Sequence, residues 1–135
     1  MSHTFSVPGE AKPWHPPKVV YRKNAGRPIA IADTTTVDYK NRVQVYATQS
    51  GAPFIQEGPV ALTIRFVRQY PKTMSRKKRE YAQPVTRPDW DNLSKAVCDA
   101  LNGIAYRDDS QLVDVHVSKS YGDEPKTVIT LSSAL

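Results

Sequence analysis

The chain has little of the chemistry that several protein classes need. Cys98 is the only cysteine among 135 residues, so no intrachain disulfide can form and a reducing compartment is expected. One cysteine and three scattered histidines do not provide the ligand spacing of a zinc site, and no serine triad can be assembled. The six glycines are also scattered, so no glycine-rich phosphate loop is present.

Long apolar runs are absent as well. No stretch approaches the roughly 20 residues of a membrane span. The first residues, Met1 to Phe5, lack the charged-then-apolar order of a signal peptide. We therefore expect a cytoplasmic protein, and the length suits a single domain, residues 1–135, with one core.

Positive charge is in excess. Lysine and arginine number 19 against 13 acidic residues, which gives a net charge of +6. Such a balance favours a polyanionic partner, although it also serves solubility alone. The position of the charges therefore has to decide between these two interpretations.

Apolar periodicity predicts an α/β (α+β) domain in the order β-β-β-α-β-α-β-β, with a mixed β-sheet and two main helices packed on it. The first helix is expected to begin at an N-cap, Thr35, with an acid in its first turn, and to end at Gly51. The second should begin at the N-cap Asp89 and stop near Gly103. The last two strands are expected to pair antiparallel across a short turn. The predicted strands are Thr4–Val7, Val19–Arg22, Ile29–Ala32, Val60–Arg68, Gln111–Lys119 and Thr127–Leu131.

The segment 69–86 is polar, basic and without periodicity, which predicts a long, mobile loop. Flexible basic side chains neutralise phosphates, and the interleaved Tyr70 and Tyr81 suit stacking on exposed bases. A solvated, disordered loop is the alternative. The candidate DNA-binding residues are Lys72, Arg76, Lys77, Lys78, Arg79, Arg87 and Lys119.

Acids adjoin this basic segment. Asp89 and Asp91 flank the start of the second helix, and the pair Asp108-Asp109 follows that helix. Carboxylates repel a phosphate backbone unless a divalent cation lies between them, and Mg²⁺ prefers a few carboxylates together with water and phosphate. For Asp108 and Asp109 to reach Asp89 and Asp91, the strand that follows them must run back alongside the second helix.

Each acid also has a structural interpretation. Asp89 suits a plain N-cap, and Asp108-Asp109 suits a turn. Asp91 and Asp99 flank Lys95 at the spacing of surface ion pairs. Trp90 is expected to pack under the helix start.

The stretch from Pro88 to Lys95, followed by Asp99 to Asp114, resembles the RusA family of Holliday-junction resolvases (crossover junction endodeoxyribonucleases). The match is dense from Arg87 to about Lys119. The pattern D-x-D-N-L-x-K followed by D-D at this distance is specific. Trp90 stands where the family usually has a smaller aliphatic residue.

The resemblance implies a small homodimeric endonuclease with a mixed α/β fold that cuts four-way DNA junctions by paired nicks. It implies Mg²⁺ as cofactor, with Mn²⁺ as a substitute, and a setting in recombination, repair or phage DNA processing in a bacterial or phage-infected cell. By this resemblance Asp89, Asp91 and Asp109 bind the metal, and Lys95 is the catalytic lysine. Asp108 and Asp114 match further acidic positions, with accessory roles.

Two other functions stay open at this point. One is a non-catalytic nucleic-acid-binding protein whose acids are structural. The other is a phosphatase or transferase that uses a D-x-D pair on a soluble substrate. Salt dependence separates the second from a DNA enzyme, because DNA affinity falls steeply with salt.

Overall fold

The computed structural model describes residues 2–21 and 26–135, and all structural statements below concern these residues. It contains six strands and three helices in one α+β domain. The strands are β1 (Ser2–Pro8), β2 (Lys18–Tyr21), β3 (Pro28–Ile31), β4 (Val60–Gln69), β5 (Leu112–Gly122) and β6 (Lys126–Ser133). The helices are α1 (Thr34–Gln49), α2 (Arg76–Arg79) and α3 (Trp90–Ala100). Each predicted strand forms, but Ala32 lies outside β3 and Gln111 lies outside β5, and Arg22 lies outside the described residues.

The main sheet has four strands in the order β1-β6-β4-β5. β4 pairs parallel with β5 and antiparallel with β6, so the sheet is mixed, as predicted. The expected pairing of the last two strands is wrong, because β4 lies between them. The turn after Gly122 therefore crosses the end of β4, where a Cβ on Gly122 would meet Val67 Cγ1. The remaining strands, β2 and β3, form a separate two-stranded sheet.

The first helix begins earlier than the sequence predicted. Asp33, and not Thr35, is the N-cap, and its side chain accepts a hydrogen bond of 3.1 Å from the Thr36 amide. The first turn contains no acid, contrary to expectation. The helix ends before Gly51, which has a φ of +77° and was predicted to terminate it.

The core lies between one face of the sheet and the two long helices. β4 alternates, with Leu62, Ile64 and Phe66 buried and Thr63 and Arg65 exposed. The apolar sides of α1 and α3 pack onto the buried face, with α3 beside β5. The unit β4-α3-β5 is thus a parallel crossover whose helix carries the acids singled out in the sequence.

The basic segment is more structured than a featureless loop. Residues Arg76–Arg79 form the short helix α2, whose N-cap Ser75 accepts a 3.2 Å hydrogen bond from the Lys78 amide. The predicted mobility of the segment stays a prediction. No helix in the described part of the chain is long and apolar enough to cross a membrane.

Candidate active site

The first part of the site is the start of α3. Asp89 occupies the N-cap position, as predicted, but its side chain makes no capping hydrogen bond. Asp91 lies in the first turn, and both side chains are exposed. The helix therefore does not use the Asp89 carboxylate for its own termination. Two carboxylates are left facing solvent near the positive end of the helix dipole.

A lysine from the edge strand holds this helix start. Lys119 Nζ on β5 donates hydrogen bonds of 2.9 Å to the carbonyl oxygens of Thr86 and Pro88. The sequence suggested that Lys119 contacts DNA or makes the strand edge soluble. The structure adds a positioning role, because the half-buried ammonium fixes the residue directly before Asp89 against β5.

Lys95 lies one turn beyond Asp91. Its Nζ is 4.0 Å from the centroid of the Trp14 ring, a cation–π contact. The Trp14 amide in turn donates a 2.9 Å hydrogen bond to the Asn92 carbonyl on α3. Among the described residues Lys95 forms no ion pair with Asp91 or Asp99. The structure therefore does not support the interpretation of these three residues as surface ion pairs.

The two acids of the second acidic segment, Asp108 and Asp109, have different surroundings. Asp108 caps a short 3-10 turn, Asp109–Gln111, by accepting a 3.0 Å hydrogen bond from the Ser110 amide. Hydrogen bonds from Ser110 lower the pKa of Asp108. The structural interpretation thus accounts for Asp108, but it leaves the Asp109 carboxylate unexplained.

Asp109 is half-buried and lies against the other end of α3. Burial and the charges of Asp108 and Asp99 raise its pKa, and Asp99 is close enough to hydrogen-bond its protonated form. Cys98 is adjacent, and burial together with the charges of Asp109 and Asp99 raises the pKa of its thiol to about 11. Such a thiol is protonated at neutral pH, so Cys98 is a poor nucleophile.

One chain does not bring the three predicted metal ligands together. Asp91 and Asp99 are eight residues apart on α3, about 12 Å along the helix axis at 1.5 Å per residue. Since Asp109 sits beside Asp99, it lies at the opposite end of the helix from Asp89 and Asp91. Within residues 2–21 and 26–135, no three acidic, histidine or cysteine side chains group as metal ligands. β5 does run back along α3, as the sequence analysis required. However, β5 begins beside the end of α3, so Asp109 lies far from the start of the helix.

The middle of β5 carries a polar pair and an apolar surface. His116 Nε2 lies 3.0 Å from Asp114 Oδ1, and both side chains are exposed. Trp90 lines an open depression of about 480 Å³ with Val115, His116 and Val117. The expectation that Trp90 packs beneath the helix start is wrong, because its exposed fraction is 59%.

Most of the basic segment faces solvent. Arg79 is the exception, since its guanidinium packs over Tyr70 at 5.0 Å and its Nε donates to the Met74 carbonyl. Tyr70 stacks on Tyr121 of β5 at 5.3 Å, which anchors the segment to the sheet. Tyr81 is exposed. The exposed basic residues are Lys72, Arg76, Lys77, Lys78 and Arg87.

Exposed carboxylates close in sequence to an exposed basic segment suit an enzyme that cleaves phosphodiester bonds. Residues 8–132 match the family described as Endodeoxyribonuclease RusA, and the chain belongs to this family. It is therefore an endodeoxyribonuclease, a hydrolase that acts on DNA junctions, in a family that resolves Holliday junctions and generally depends on divalent metal. The chain is also 41% identical over 100 residues to a Bacillus subtilis (strain 168) protein called Uncharacterized protein YqaN. That alignment covers 69% of this chain and 70% of YqaN.

Proposed function

We propose that the chain is a Mg²⁺-dependent, structure-selective endonuclease that resolves four-way junctions by paired nicks as a homodimer. Its setting would be recombination, repair or phage DNA processing in the cytoplasm of a bacterial or phage-infected cell. The observation that carries the proposal is the uncapped, exposed Asp89 carboxylate, which lies two residues from Asp91 and close in sequence to the basic segment.

The oxygen donors suit a hard divalent cation. Asp89, Asp91 and Asp109 would hold Mg²⁺, or Mn²⁺ in its place, with water and phosphate oxygens as further ligands. The bound ion would lower the pKa of a water and stabilise negative charge on the leaving oxygen. Lys95, held over Trp14, places a positive charge one turn beyond Asp91, where it would stabilise charge at the phosphate.

The basic segment would bind the junction through its backbone. Phosphate contacts from Lys72, Arg76, Lys77, Lys78 and Arg87 give affinity without reading bases, which suits selection of DNA by shape. Arg79 and Lys119 would contribute mainly by positioning the backbone segments that they bind, since both side chains already donate hydrogen bonds to backbone carbonyls. Asp108 would serve as the cap of the 3-10 turn Asp109–Gln111. Asp114 would serve an accessory role by holding the His116 side chain.

The test is the variant Asp91→Asn. Junction binding should persist, because the basic segment is unchanged, while metal-dependent nicking falls to background. Asp123→Asn, which removes an exposed acid from the turn after β5, is the matched control and should nick like the wild type. Unchanged nicking by Asp91→Asn would dismiss the catalytic role of Asp91, whereas a wild type that binds junctions without nicking them would favour a binding protein with structural acids.

A further inference from the structure

The side chain of Gln111 joins two segments that lie far apart in the sequence. Its Oε1 accepts hydrogen bonds of 2.8 and 3.1 Å from the backbone amides of Arg107 and Asp108. Its Nε2 donates hydrogen bonds of 3.0 and 3.1 Å to the backbone carbonyls of Ile55 and Gly58. One half-buried side chain therefore ties the short turn before β5 to the loop before β4.

The primary amide of Gln111 has no unused hydrogen-bonding capacity. A side-chain amide has two N–H donors and an oxygen with two lone pairs, and the four hydrogen bonds occupy all of them. A carboxylate of the same length accepts from the two backbone amides but cannot donate to the two carbonyls. This position therefore uses both ends of an amide, which a simple surface turn does not need.

The turn that carries Asp109 is poorly held by its own backbone. It is a 3-10 turn of three residues, and 3-10 hydrogen bonds have poorer geometry than those of an α-helix. The neighbouring charge of Asp99 repels the Asp109 carboxylate. The sheet adds little at this point, because the register of β4 and β5 shifts between Val60 and Ala61, at the beginning of the ladder. A carboxylate kept in place against repulsion needs an anchor outside the turn.

The loop before β4 is such an anchor, because it is fixed to the rest of the fold. The Ile55 amide donates a 2.8 Å hydrogen bond to the Ala105 carbonyl, and the Ile55 side chain packs against the core. The Pro59 carbonyl accepts a 2.9 Å hydrogen bond from the amide of Ala134, which follows β6. Gln111 thus connects the turn to a segment that is itself held from two sides.

We propose that Gln111 is a positioning residue of the metal site, and that it holds the Asp109 carboxylate where a divalent cation binds it. The inference rests on the proposed function, in which Asp109 is a metal ligand. Gln111 would not touch the cation, since its amide oxygen already accepts two hydrogen bonds. It would act through the turn, because a ligand that is already in place does not have to be ordered when the cation binds.

The first experiment removes the link and measures metal binding. Gln111→Met keeps a side chain of similar length but forms none of the four hydrogen bonds. The Kd for Mn²⁺, measured by calorimetry on the protein without DNA, should rise by about tenfold, as is typical when the support of a metal ligand is lost. Junction affinity in chelator should not change, because the basic segment is intact. A higher Mn²⁺ concentration should restore nicking.

A second variant tests the connection to the loop alone. Gln111→Glu keeps an oxygen for the two backbone amides but places a carboxylate against the carbonyls of Ile55 and Gly58. The Kd for Mn²⁺ should rise, although the added negative charge by itself attracts a cation. Gln56→Glu is the matched control, because it adds the same charge at an exposed position of the same loop, and it should not raise the Kd.

A pair of glycines tests the loop without a change at Gln111. Gly58 and Gly51 have φ values of +93° and +77°, and a Cβ on either would meet no atom of a non-adjacent residue within 4 Å. Alanine is strained at such φ values, so Gly58→Ala should shift the carbonyl that Gln111 binds and raise the Kd for Mn²⁺. Gly51→Ala puts similar strain after the end of α1, so it should lower the free energy of unfolding and leave the Kd unchanged.

A purely structural Gln111 would give a different result. Gln111→Met would then lose stability in urea and still bind Mn²⁺ with the wild-type Kd, and this result would overturn the inference. Should Gln111→Met not fold, wild-type Kd values in Gln111→Glu and Gly58→Ala would overturn it in the same way.

Asp109→Asn separates this inference from the proposed function. If this variant binds no Mn²⁺ and Gln111→Met binds it like the wild type, the inference fails alone. If Asp109→Asn binds Mn²⁺ like the wild type, Asp109 is not a ligand, and both the metal set of the proposed function and the inference fail. If the predicted changes in Kd are found but the wild type does not nick junctions, the proposed function fails and the positioning role of Gln111 stands.

Discussion

Lys119 Nζ lies 2.9 Å from the carbonyl oxygen of Pro88, and this hydrogen bond joins the edge strand β5 to the residue before Asp89. The same ammonium also binds the Thr86 carbonyl. One side chain therefore holds the segment that leads into α3 at a fixed position on the sheet. The placement of Asp89 and Asp91 depends on this link as much as on the helix itself.

Replacing Lys119 with methionine should release this segment. The variant cannot form the two charge-assisted hydrogen bonds but keeps the apolar stem, so we expect the free energy of unfolding to fall by about 1–3 kcal/mol and the nicking rate to fall with it. Urea denaturation and single-turnover nicking measure the two effects. Lys126→Met, an exposed lysine on β6, is the control and should change neither. If Lys119 acted only by binding phosphate, the variant would have weaker junction affinity and unchanged stability.

The basic segment should determine the salt dependence of binding. In the triple variant Arg76→Gln, Lys77→Gln and Lys78→Gln, the slope of log affinity against log salt should become shallower by about one unit for each phosphate that the variant no longer neutralises. Junction binding by fluorescence anisotropy at several salt concentrations measures this slope. Replacing the exposed lysines Lys12, Lys18 and Lys126 by glutamine removes the same charge and is the control. Equal slopes for the two triple variants would contradict a local role of the basic segment in DNA binding.

When no metal is bound, the Asp109 carboxylate should lower the free energy of unfolding. Burial and the charges of Asp108 and Asp99 raise its pKa, so the folded protein binds this proton more tightly than the unfolded chain does. The ionised carboxylate therefore destabilises the fold above the raised pKa, and the cost disappears as the pH falls through that pKa.

Asp109→Asn should thus raise the free energy of unfolding at pH 7 in chelator, with the gain disappearing in acid. Asp108 should behave in the opposite way, because hydrogen bonds from Ser110 lower its pKa. Asp108→Ala should lower stability at pH 7, and the difference should shrink as the pH falls through the lowered pKa. Denaturant titrations at several pH values would contradict this account if both variants shifted stability in the same direction.

Local signals predicted most of the elements. Alternation in β4 and the apolar stripe of α3 are strong periodic patterns, and both elements form where they were expected. Asp89 was also placed correctly at the N-cap. Thr35 was not, because Asp33 offers a better-placed oxygen to the Thr36 amide, and sequence alone does not rank two neighbouring caps.

Long-range relations were harder to predict. A short turn between β5 and β6 suggested a hairpin, yet β4 lies between the two strands, and strand order depends on the whole sheet. The binding of Lys119 to the Pro88 carbonyl leaves no periodic signal either. The resemblance named Asp89, Asp91 and Asp109 together, whereas the structure places Asp109 beside Asp99, at the other end of α3 from Asp89 and Asp91.

The most direct test is a nicking assay on a synthetic four-way junction and on a linear duplex of matched sequence, each with Mg²⁺ and with chelator. The account predicts paired nicks in the junction with Mg²⁺, none with chelator, and an intact duplex. Junction binding without nicks in Mg²⁺ or Mn²⁺, or equal cutting of the two substrates, would contradict it.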